Sequence, residues 1–176
     1  SATTILGTAG NDLLSGTAGP DVFFSSPGSD TLIGGAGDDR YSIGASGTES
    51  IVEEIGGGVD TVTGDLPQVY VLPDNVEQAE FLGRVMTGNA LDNVITAGPA
   101  SNTLDGGHGN DVLIGGFLRS TPVSRDDSGS DILIGGDGDD TLIPVGGVYH
   151  SSGSIAPITN AAIIKADDVL VGGRGD

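Results

Sequence analysis

A nine-residue repeat near the start of the chain most constrains its fold. Residues 7–42 read as four consecutive nonapeptides, GTAGNDLLS, GTAGPDVFF, SSPGSDTLI and GGAGDDRYS, each with an Asp at position six and a large apolar residue at position eight. A fixed period indicates that one short structural unit is stacked on itself. The aspartates are Asp12, Asp21, Asp30 and Asp39, and the apolar residues are Leu14, Phe23, Leu32 and Tyr41.

The Gly-rich half of each nonapeptide predicts a tight turn, and its last three residues predict a short strand. Gly takes backbone angles that residues with a Cβ resist, and strand side chains alternate, so the position-eight residue faces a core. Two nonapeptides then complete one coil, and repeats n and n+2 stack on the same edge. We therefore expect Asp12 over Asp30, and Asp21 over Asp39.

Stacked carboxylates repel each other unless a cation lies between them. Carboxylates and turn carbonyls form a flexible, all-oxygen ligand set, which suits calcium better than magnesium or zinc. We expect two complete calcium sites in residues 7–42. Ordinary Asp–Gly turn chemistry is the alternative, but it does not explain a nine-residue phase kept over four consecutive units.

The nine-residue phase is lost in residues 43–87. Short apolar runs bounded by turn formers, such as residues 51–52 and 69–72, predict strands. We expect the solenoid to continue here as a metal-free β spacer, or as a bend between two calcium-binding blocks. A turn of helix is expected near residues 75–79, and residues 1–6 are expected to form a lead-in strand.

The phase returns in residues 88–176. The first two units, GNALDNVIT and AGPASNTLD, have Asn93 and Asn102 at position six. Asn keeps an oxygen but loses the charge, so we expect these coils to bind calcium poorly and to form a start cap on a second stack. Position-six aspartates follow at Asp111, Asp131, Asp140 and Asp168, and Leu113, Leu133 and Leu142 continue the core.

Two insertions, residues 117–128 and 144–165, interrupt this second block. They fall two units apart, so we expect both to leave the same edge of the solenoid, one above the other. The opposite edge, with Asp111 and Asp140, should hold a complete site. The loop-side site is complete only if the loops leave and return at nearly the same point.

The charge of the chain favours cations as partners. Its 176 residues have a formal net charge of −19 and include no Cys. Such acidity argues against nucleic acid and anionic membrane surfaces as partners, and the lack of Cys excludes disulfides and thiolate metal sites. No apolar run approaches the roughly 18 residues of a membrane span. A start without Met and an end at GGRGD suggest a piece of a larger protein.

These residues resemble the RTX (hemolysin-type) calcium-binding repeat region of proteins that Gram-negative bacteria export by type I secretion. Ten nonapeptide-like units in two blocks carry the resemblance, and GGGVDTV and LPDNVEQAEFLG look like the spacer between such blocks. The resemblance implies an all-β fold, a right-handed parallel β-roll (β-solenoid), with calcium-binding blocks at 1–42 and 88–176. It also implies calcium ions as cofactor, a secreted or cell-surface location, the type I secretion apparatus as a partner, and folding delayed until after export.

The family's metal-binding roles carry over to the position-six aspartates and the turn glycines of this sequence. A Pro at position five of the second unit and Ser at positions one and two of the third leave the turn carbonyls in place, whereas the insertions replace turn residues on one edge. The aspartates are Asp12, Asp21, Asp30, Asp39, Asp111, Asp131, Asp140 and Asp168, and the glycines are Gly10, Gly19, Gly28, Gly35, Gly37, Gly107, Gly109, Gly136 and Gly138.

Three functions are compatible with such a chain. The first is a calcium-folded module for export-coupled folding and stabilisation, and the second is an adhesin or carbohydrate-binding module that uses the two inserted loops. The third is a β-helical polysaccharide lyase or epimerase, but no nucleophile and base occur at recognisable spacing. We expect no catalysis in this chain, whatever the larger protein does. The loop residues that could bind a glycan or a surface partner are Phe117, Arg119, Arg125, Tyr149 and His150.

Overall fold

The computed structural model describes residues 1–44, 49–65, 69–116 and 131–143, together with the backbone of 169–171. Regular structure in these residues consists of strands of three or four residues, and none of them forms a helix that could cross a membrane. The strands are β1 (Thr3–Leu6), β2 (Leu13–Ser15), β3 (Asp21–Phe24), β4 (Thr31–Ile33), β5 (Arg40–Ile43), β6 (Ser50–Val52), β7 (Thr61–Gly64), β8 (Val69–Val71), β9 (Gln78–Phe81), β10 (Val85–Thr87), β11 (Val94–Ala97), β12 (Thr103–Asp105), β13 (Val112–Ile114), β14 (Ile132–Ile134), β15 (Thr141–Ile143) and β16 (Val169–Val171).

The strands form three parallel sheets. The odd-numbered strands β1 to β15 build one continuous eight-stranded sheet in chain order, which we call sheet A. Strands β2, β4 and β6 build sheet B, and β8, β10, β12, β14 and β16 build sheet C. The chain alternates between sheet A and sheet B or C, so one strand from each side completes a coil. The predicted parallel β-roll is therefore confirmed.

The register of the strands confirms the predicted stacking of repeats n and n+2. Phe23 of β3 pairs with Tyr41 of β5, and Leu14 of β2 pairs with Leu32 of β4. The backbone N–H of Asp12 reaches Oδ1 of Asp30 across 18 residues of chain, which is two nonapeptides. Strand side chains alternate between the two faces, so this register sends every position-eight residue to the same face.

The position-eight residues form the core, as predicted. Within it, the rings of Phe23 and Tyr41 stack with their centroids 4.9 Å apart. Leu14 is partly buried and packs against this core from the first coil. The fully buried members include Phe23, Leu32, Tyr41, Val62, Met86, Ile95, Leu104, Leu113, Leu133 and Leu142.

Residues 43–87 supply strands to all three sheets. In sheet A, β7 pairs with β5 on one side and with β9 on the other, and β9 pairs with β11. The expectation that the Asn93 unit starts a second stack is therefore wrong. Strand pairing depends on the backbone of the neighbouring coil, and sheet A continues from the spacer into the Asn93 unit without a break. The lead-in strand at residues 1–6 is confirmed as β1.

The expected turn of helix near residues 75–79 is also wrong. Asn75 has a φ of 64°, a left-handed angle that Asn tolerates better than most residues. It reverses the chain in a tight turn, and β9 begins at Gln78. The turn lies beside a cleft between β6 and β8, which do not pair, and Asn75 Nδ2 donates a hydrogen bond to the carbonyl oxygen of Glu53 there at 3.0 Å.

Both insertions connect sheet A to sheet C. The first follows β13 and precedes β14, the second follows β15 and precedes β16, and β14 pairs with β16. The chain thus returns from the two insertions on neighbouring strands, in agreement with the predicted common edge. Asp168 and the loop residues Phe117, Arg119, Arg125, Tyr149 and His150 lie outside the described residues.

Candidate metal centres

The position-six residues form a ladder of hydrogen bonds along each edge of the roll. The backbone N–H of one position-six residue donates to the side-chain oxygen of the position-six residue one coil further on. This bond measures 3.0 Å from Asp12 to Asp30, 2.8 Å from Asp21 to Asp39 and 2.9 Å from Asp111 to Asp140. One carboxylate oxygen, Oδ1, is thus held by the preceding coil.

The second oxygen has different surroundings in different coils. In the first units, backbone N–H groups reach it, from Thr8 to Asp12 Oδ2 at 2.5 Å and from Thr17 to Asp21 Oδ2 at 2.6 Å. Further along the chain, Oδ2 is buried and has no hydrogen-bond partner. A buried carboxylate is costly unless it is paired or binds a metal. These orphaned oxygens belong to Asp39, Asp60, Asp111 and Asp140.

The glycine at position one leaves room for this oxygen. A Cβ on Gly34 would lie 2.5 Å from Asp39 Oδ2, and a Cβ on Gly106 would overlap Asp111 Oδ2 and lie 2.5 Å from the carbonyl oxygen of Gly135. Real Cβ atoms do not approach so closely. Gly106 is therefore confined by the carboxylate of its own turn and a carbonyl of the next coil, and Gly34 by the carboxylate of its own turn and the side chains of Tyr41 and Glu53.

The glycines at positions two and four bend the turn. Gly35 and Gly37 have φ of 95° and 123°, angles that side chains with a Cβ resist. The other full repeats show the same pair of angles, at Gly107 and Gly109 and at Gly136 and Gly138, and Gly28 shares the angle at position four. Gly10 and Gly19 lack it, and a Cβ on either would meet nothing within 4 Å.

The Asn coils show where the turn carbonyls point. Asn102 Nδ2 donates to the carbonyl oxygens of Gly98 and Ala100, at positions two and four of its turn, at 2.9 and 2.5 Å. Asn93 Nδ2 donates instead to Val76 O, in the turn of the preceding coil, at 3.2 Å. A positively polarised N–H group thus lies where these oxygens converge. In an Asp coil, a carboxylate with an orphaned oxygen takes the place of the Asn amide. The carboxylate and the turn carbonyls then form an all-oxygen set, which fits a calcium ion.

Burial changes the acidity of the orphaned carboxylates. Desolvation raises the pKa of Asp111 to about 6 against the hydrogen bond from the Asn93 backbone, and the charge of Asp140 raises it further. Desolvation likewise raises the pKa of Asp60 to about 6, and burial raises the pKa of Asp39. A carboxylate that is expensive to ionise gains most from a proton or a cation.

The structure brings two carboxylates of the spacer next to Asp39. The backbone N–H of Asp39 donates to Asp60 Oδ1 at 2.8 Å, so Asp60 is the next member of the ladder. One carboxylate oxygen each from Asp39, Glu53 and Asp60 lie within 4.8 Å of one another, and all three residues are buried. Sequence reasoning missed Glu53 and Asp60.

A signal for Asp60 was present in the sequence. Asp60 stands two residues before the buried Val62, the same Asp-x-apolar order as in the repeats that have Asp at position six. It was missed because 21 residues separate Asp39 from Asp60, whereas 18 separate Asp21 from Asp39. Glu53 gave no such signal, since it replaces a position-one glycine.

Comparison with known proteins identifies the repeats. No curated protein and no solved structure matches this chain. The family described as RTX calcium-binding nonapeptide repeat (4 copies) matches residues 6–41, 87–118 and 125–147, which together make up more than half of the chain. The match leaves out Glu53 and Asp60. The repeats, the parallel roll and the matched residues together show that the chain belongs to the RTX calcium-binding nonapeptide repeat family.

Proposed function

We propose that this calcium-binding repeat module folds when it meets calcium outside the cell, after export by a type I secretion apparatus. The observation that carries the proposal is the set of buried carboxylate oxygens without a hydrogen-bond partner, at Asp39, Asp111 and Asp140. Three such oxygens in one small domain make a large unfavourable contribution to the free energy of folding unless their charge is neutralised. The secretion route, the extracellular location and the apparatus are supported by the family, in which such repeats are typical of exported proteins.

The Asp coils whose Oδ2 has no hydrogen-bond partner would hold the ion in a common way. Oδ2 of the position-six Asp would bind the ion, while Oδ1 accepts the N–H of the preceding coil, as Asp140 Oδ1 accepts that of Asp111. The carbonyl oxygens at positions two and four complete an oxygen set, at the place where Asn102 puts its Nδ2. Calcium supplies the positive charge that cancels repulsion along the ladder.

Calcium would decide between the folded and unfolded chain. A formal net charge of −19 and 32 Gly make the metal-free fold unfavourable, because like charges are brought together and Gly loses much entropy on ordering. An ion that binds only the folded form stabilises it by about 2.7 kcal/mol per site at 100 times its Kd. Extracellular calcium modules have Kd values of about 10⁻⁴ to 10⁻³ M, so the chain would stay unfolded in the cytosol.

Circular dichroism tests this proposal directly. The purified chain is recorded in chelator, then in millimolar calcium, and separately in millimolar magnesium. We expect a coil spectrum in chelator and in magnesium, and a β spectrum in calcium alone. A β spectrum that persists after the metal has been stripped would overturn the proposal.

A second candidate function is recognition of a glycan or a cell-surface partner. The observation in its favour is that β14 and β16, to which the chain returns after the two insertions, are neighbours in sheet C. The loops 117–128 and 144–165 would then present Phe117, Arg119, Arg125, Tyr149 and His150 side by side. Titration of the calcium-loaded chain with glycans tests this, with a deletion of residues 117–128 as control. No binding at millimolar glycan would exclude it.

We propose a folding and binding role for this chain and no catalysis. The support is the sequence, which places no nucleophile beside a base at recognisable spacing. The activity of the larger protein is a separate question, and an enzyme, toxin or adhesin could each carry such a module.

A further inference from the structure

We infer that Asp39, Glu53 and Asp60 form a cation site that ties the first repeat block to the spacer. Two of its three carboxylates come from residues that the family match leaves out. The inference rests on the proposed calcium-dependent folding, and it replaces the expectation that residues 43–87 are metal-free. The ligand is a hard divalent cation, and calcium fits it best.

The spacing of the three carboxylates allows one ion to contact all of them. One oxygen from each lies within 4.8 Å of the other two. Calcium binds oxygen at about 2.4 Å, so ligands on opposite sides of the ion are about 4.8 Å apart, and neighbouring ligands are closer. Magnesium binds oxygen at about 2.1 Å and demands octahedral geometry. The cluster therefore admits a calcium ion bound by all three carboxylates, and calcium tolerates an irregular ligand set better than magnesium does.

Each carboxylate is held by one oxygen and leaves the other free. Asp39 Oδ1 accepts the N–H of Asp21, and Asp60 Oδ1 accepts the N–H of Asp39, both at 2.8 Å. Glu53 Oε1 accepts the hydroxyl hydrogen of Tyr41. These bonds orient all three side chains before any ion is present, and pre-oriented ligands lose less entropy on binding.

The remaining oxygens point to a ligand independently of the acidic composition. Asp39 Oδ2, Glu53 Oε2 and Asp60 Oδ2 are each buried without a hydrogen-bond partner. The exposed fraction is 1 % for Asp39 and Asp60 and 8 % for Glu53, so these carboxylates are largely shielded from bulk water. Buried polar atoms are nearly always satisfied. Each of the three clustered carboxylates thus keeps one buried oxygen without a partner, and the cluster lacks a shared positive charge.

Protein side chains do not supply that positive partner within the described residues. Their ion pairs join Arg40 to Glu80 and His108 to Asp137, on the surface. Three ionised carboxylates would bring three negative charges into one buried place. A divalent cation cancels two of them, and the Tyr41 hydroxyl disperses part of the third.

The position of Glu53 explains why this site differs from those in the repeats. Glu53 directly follows β6 and so stands at position one, where most repeat coils have Gly. Its side chain reaches over Gly34 of the preceding coil, because a Cβ on Gly34 would meet Glu53 Oε1 and the Tyr41 hydroxyl. The site therefore has three carboxylates where a repeat coil pair offers two. More ligand charge raises calcium affinity, so this site is expected to fill first as calcium rises.

Counting bound ions in the whole chain tests the inference. Equilibrium dialysis with calcium, checked by native mass spectrometry, is compared for the wild type, Glu53→Gln and Glu54→Gln. Glu54 is the matched control because it carries the same charge next in sequence but is exposed. We expect Glu53→Gln to bind one ion fewer than the wild type and to lose the tightest site, with the other sites changed less than twofold. Glu54→Gln should match the wild type.

A second measurement decides the case in which Glu53→Gln fails to fold. Terbium replaces calcium, and tyrosine excitation sensitises its emission at short range. The chain has no Trp, and Tyr41 touches Glu53 directly. We expect sensitised emission in the wild type at the first equivalent of terbium, and its loss in Tyr41→Phe.

The outcomes separate this inference from the proposed function. A wild type that folds in calcium while Glu53→Gln binds as many ions with the same tightest affinity would overturn the site and leave calcium-dependent folding standing. So would first-equivalent terbium emission that is absent or unaffected by Tyr41→Phe. A wild type that binds no calcium would remove the proposed function itself.

Discussion

The backbone N–H of Asp111 donates a hydrogen bond to Oδ1 of Asp140 at 2.9 Å, across 29 residues of chain. The same bond joins Asp21 to Asp39 across only 18 residues. An insertion between β13 and β14 therefore leaves the ladder on the sheet A edge unchanged. The bond depends on the distance between coils in space, and the length of chain that connects them is immaterial to it.

The first prediction concerns Asp111→Asn. The amide keeps the Oδ1 acceptor for the Asn93 N–H and adds a donor toward the turn carbonyls, as Asn102 does. The coil should then dispense with its ion and lose the corresponding stabilisation, about 2.7 kcal/mol for a site at 100 times its Kd. Urea unfolding in saturating calcium measures this. Asp92→Asn is the control, since Asp92 is exposed and its Oδ1 bond to the Asn110 N–H survives. Equal losses in both variants would contradict the prediction.

The second prediction is the reverse change, Asn102→Asp. It removes the donor to Gly98 and Ala100 and puts a carboxylate beside their carbonyl oxygens. We expect one additional bound calcium ion and a steeper dependence of folding on calcium concentration. The new carboxylate and the two carbonyl oxygens repel one another without an ion, but together they form a set of oxygen ligands for calcium. Ion counting and calcium titrations by circular dichroism check this. The matched control is Asn110→Asp, which adds the same charge at an exposed position. An unchanged ion count would show that the Asn coil has no latent site.

The third prediction compares two Gly→Ala substitutions. In Gly106→Ala the new Cβ would overlap Asp111 Oδ2 and lie 2.5 Å from the carbonyl oxygen of Gly135, and backbone atoms cannot easily move away. We expect a loss of about 1 to 3 kcal/mol in the free energy of unfolding in calcium, as for other overpacked sites. In Gly10→Ala the Cβ meets nothing within 4 Å, so stability should stay within about 0.5 kcal/mol. Similar losses in both would mean that position one is not sterically restricted.

The fourth prediction is that acid promotes folding of the metal-free chain. Desolvation raises the pKa of Glu53 to about 7 and those of Asp60 and Asp111 to about 6 in the fold, whereas exposed carboxyls in an unfolded chain titrate near 4. Because the fold binds these protons more tightly, its stability is greatest below pH about 4 and is lost as pH rises to about 7. Circular dichroism in chelator at constant ionic strength should show more β structure at low pH. A signal that rises with pH over this range would contradict this.

Much of the roll followed from two positions of the nonapeptide. The order Asp-x-apolar predicted the inward ladder of Phe23, Leu32 and Leu113, and the period predicted which aspartates share an edge. Both are local rules, since an apolar residue must face inward and a coil takes two repeats. They hold wherever the phase of nine is kept.

These two rules could not predict the structure of the spacer, because its coils differ in length. The coil from Arg40 to Thr61 is longer than 18 residues, and the one from Thr61 to Gln78 is shorter, yet both strand pairs keep the register of sheet A. A fixed period cannot follow such changes. The charged residues that replace glycines, such as Glu53, find their partners only in three dimensions.

Sheet A runs without interruption through residues that carry no recognisable nonapeptide. A coil can join the stack when it has an inward-facing apolar side chain and a side-chain acceptor for the N–H of the preceding coil. The coil that contains Asp60 and Val62 meets both conditions. Counting nonapeptide motifs therefore underestimates the number of coils in such a protein. The number of stacked coils is given by the inward-facing apolar residues instead.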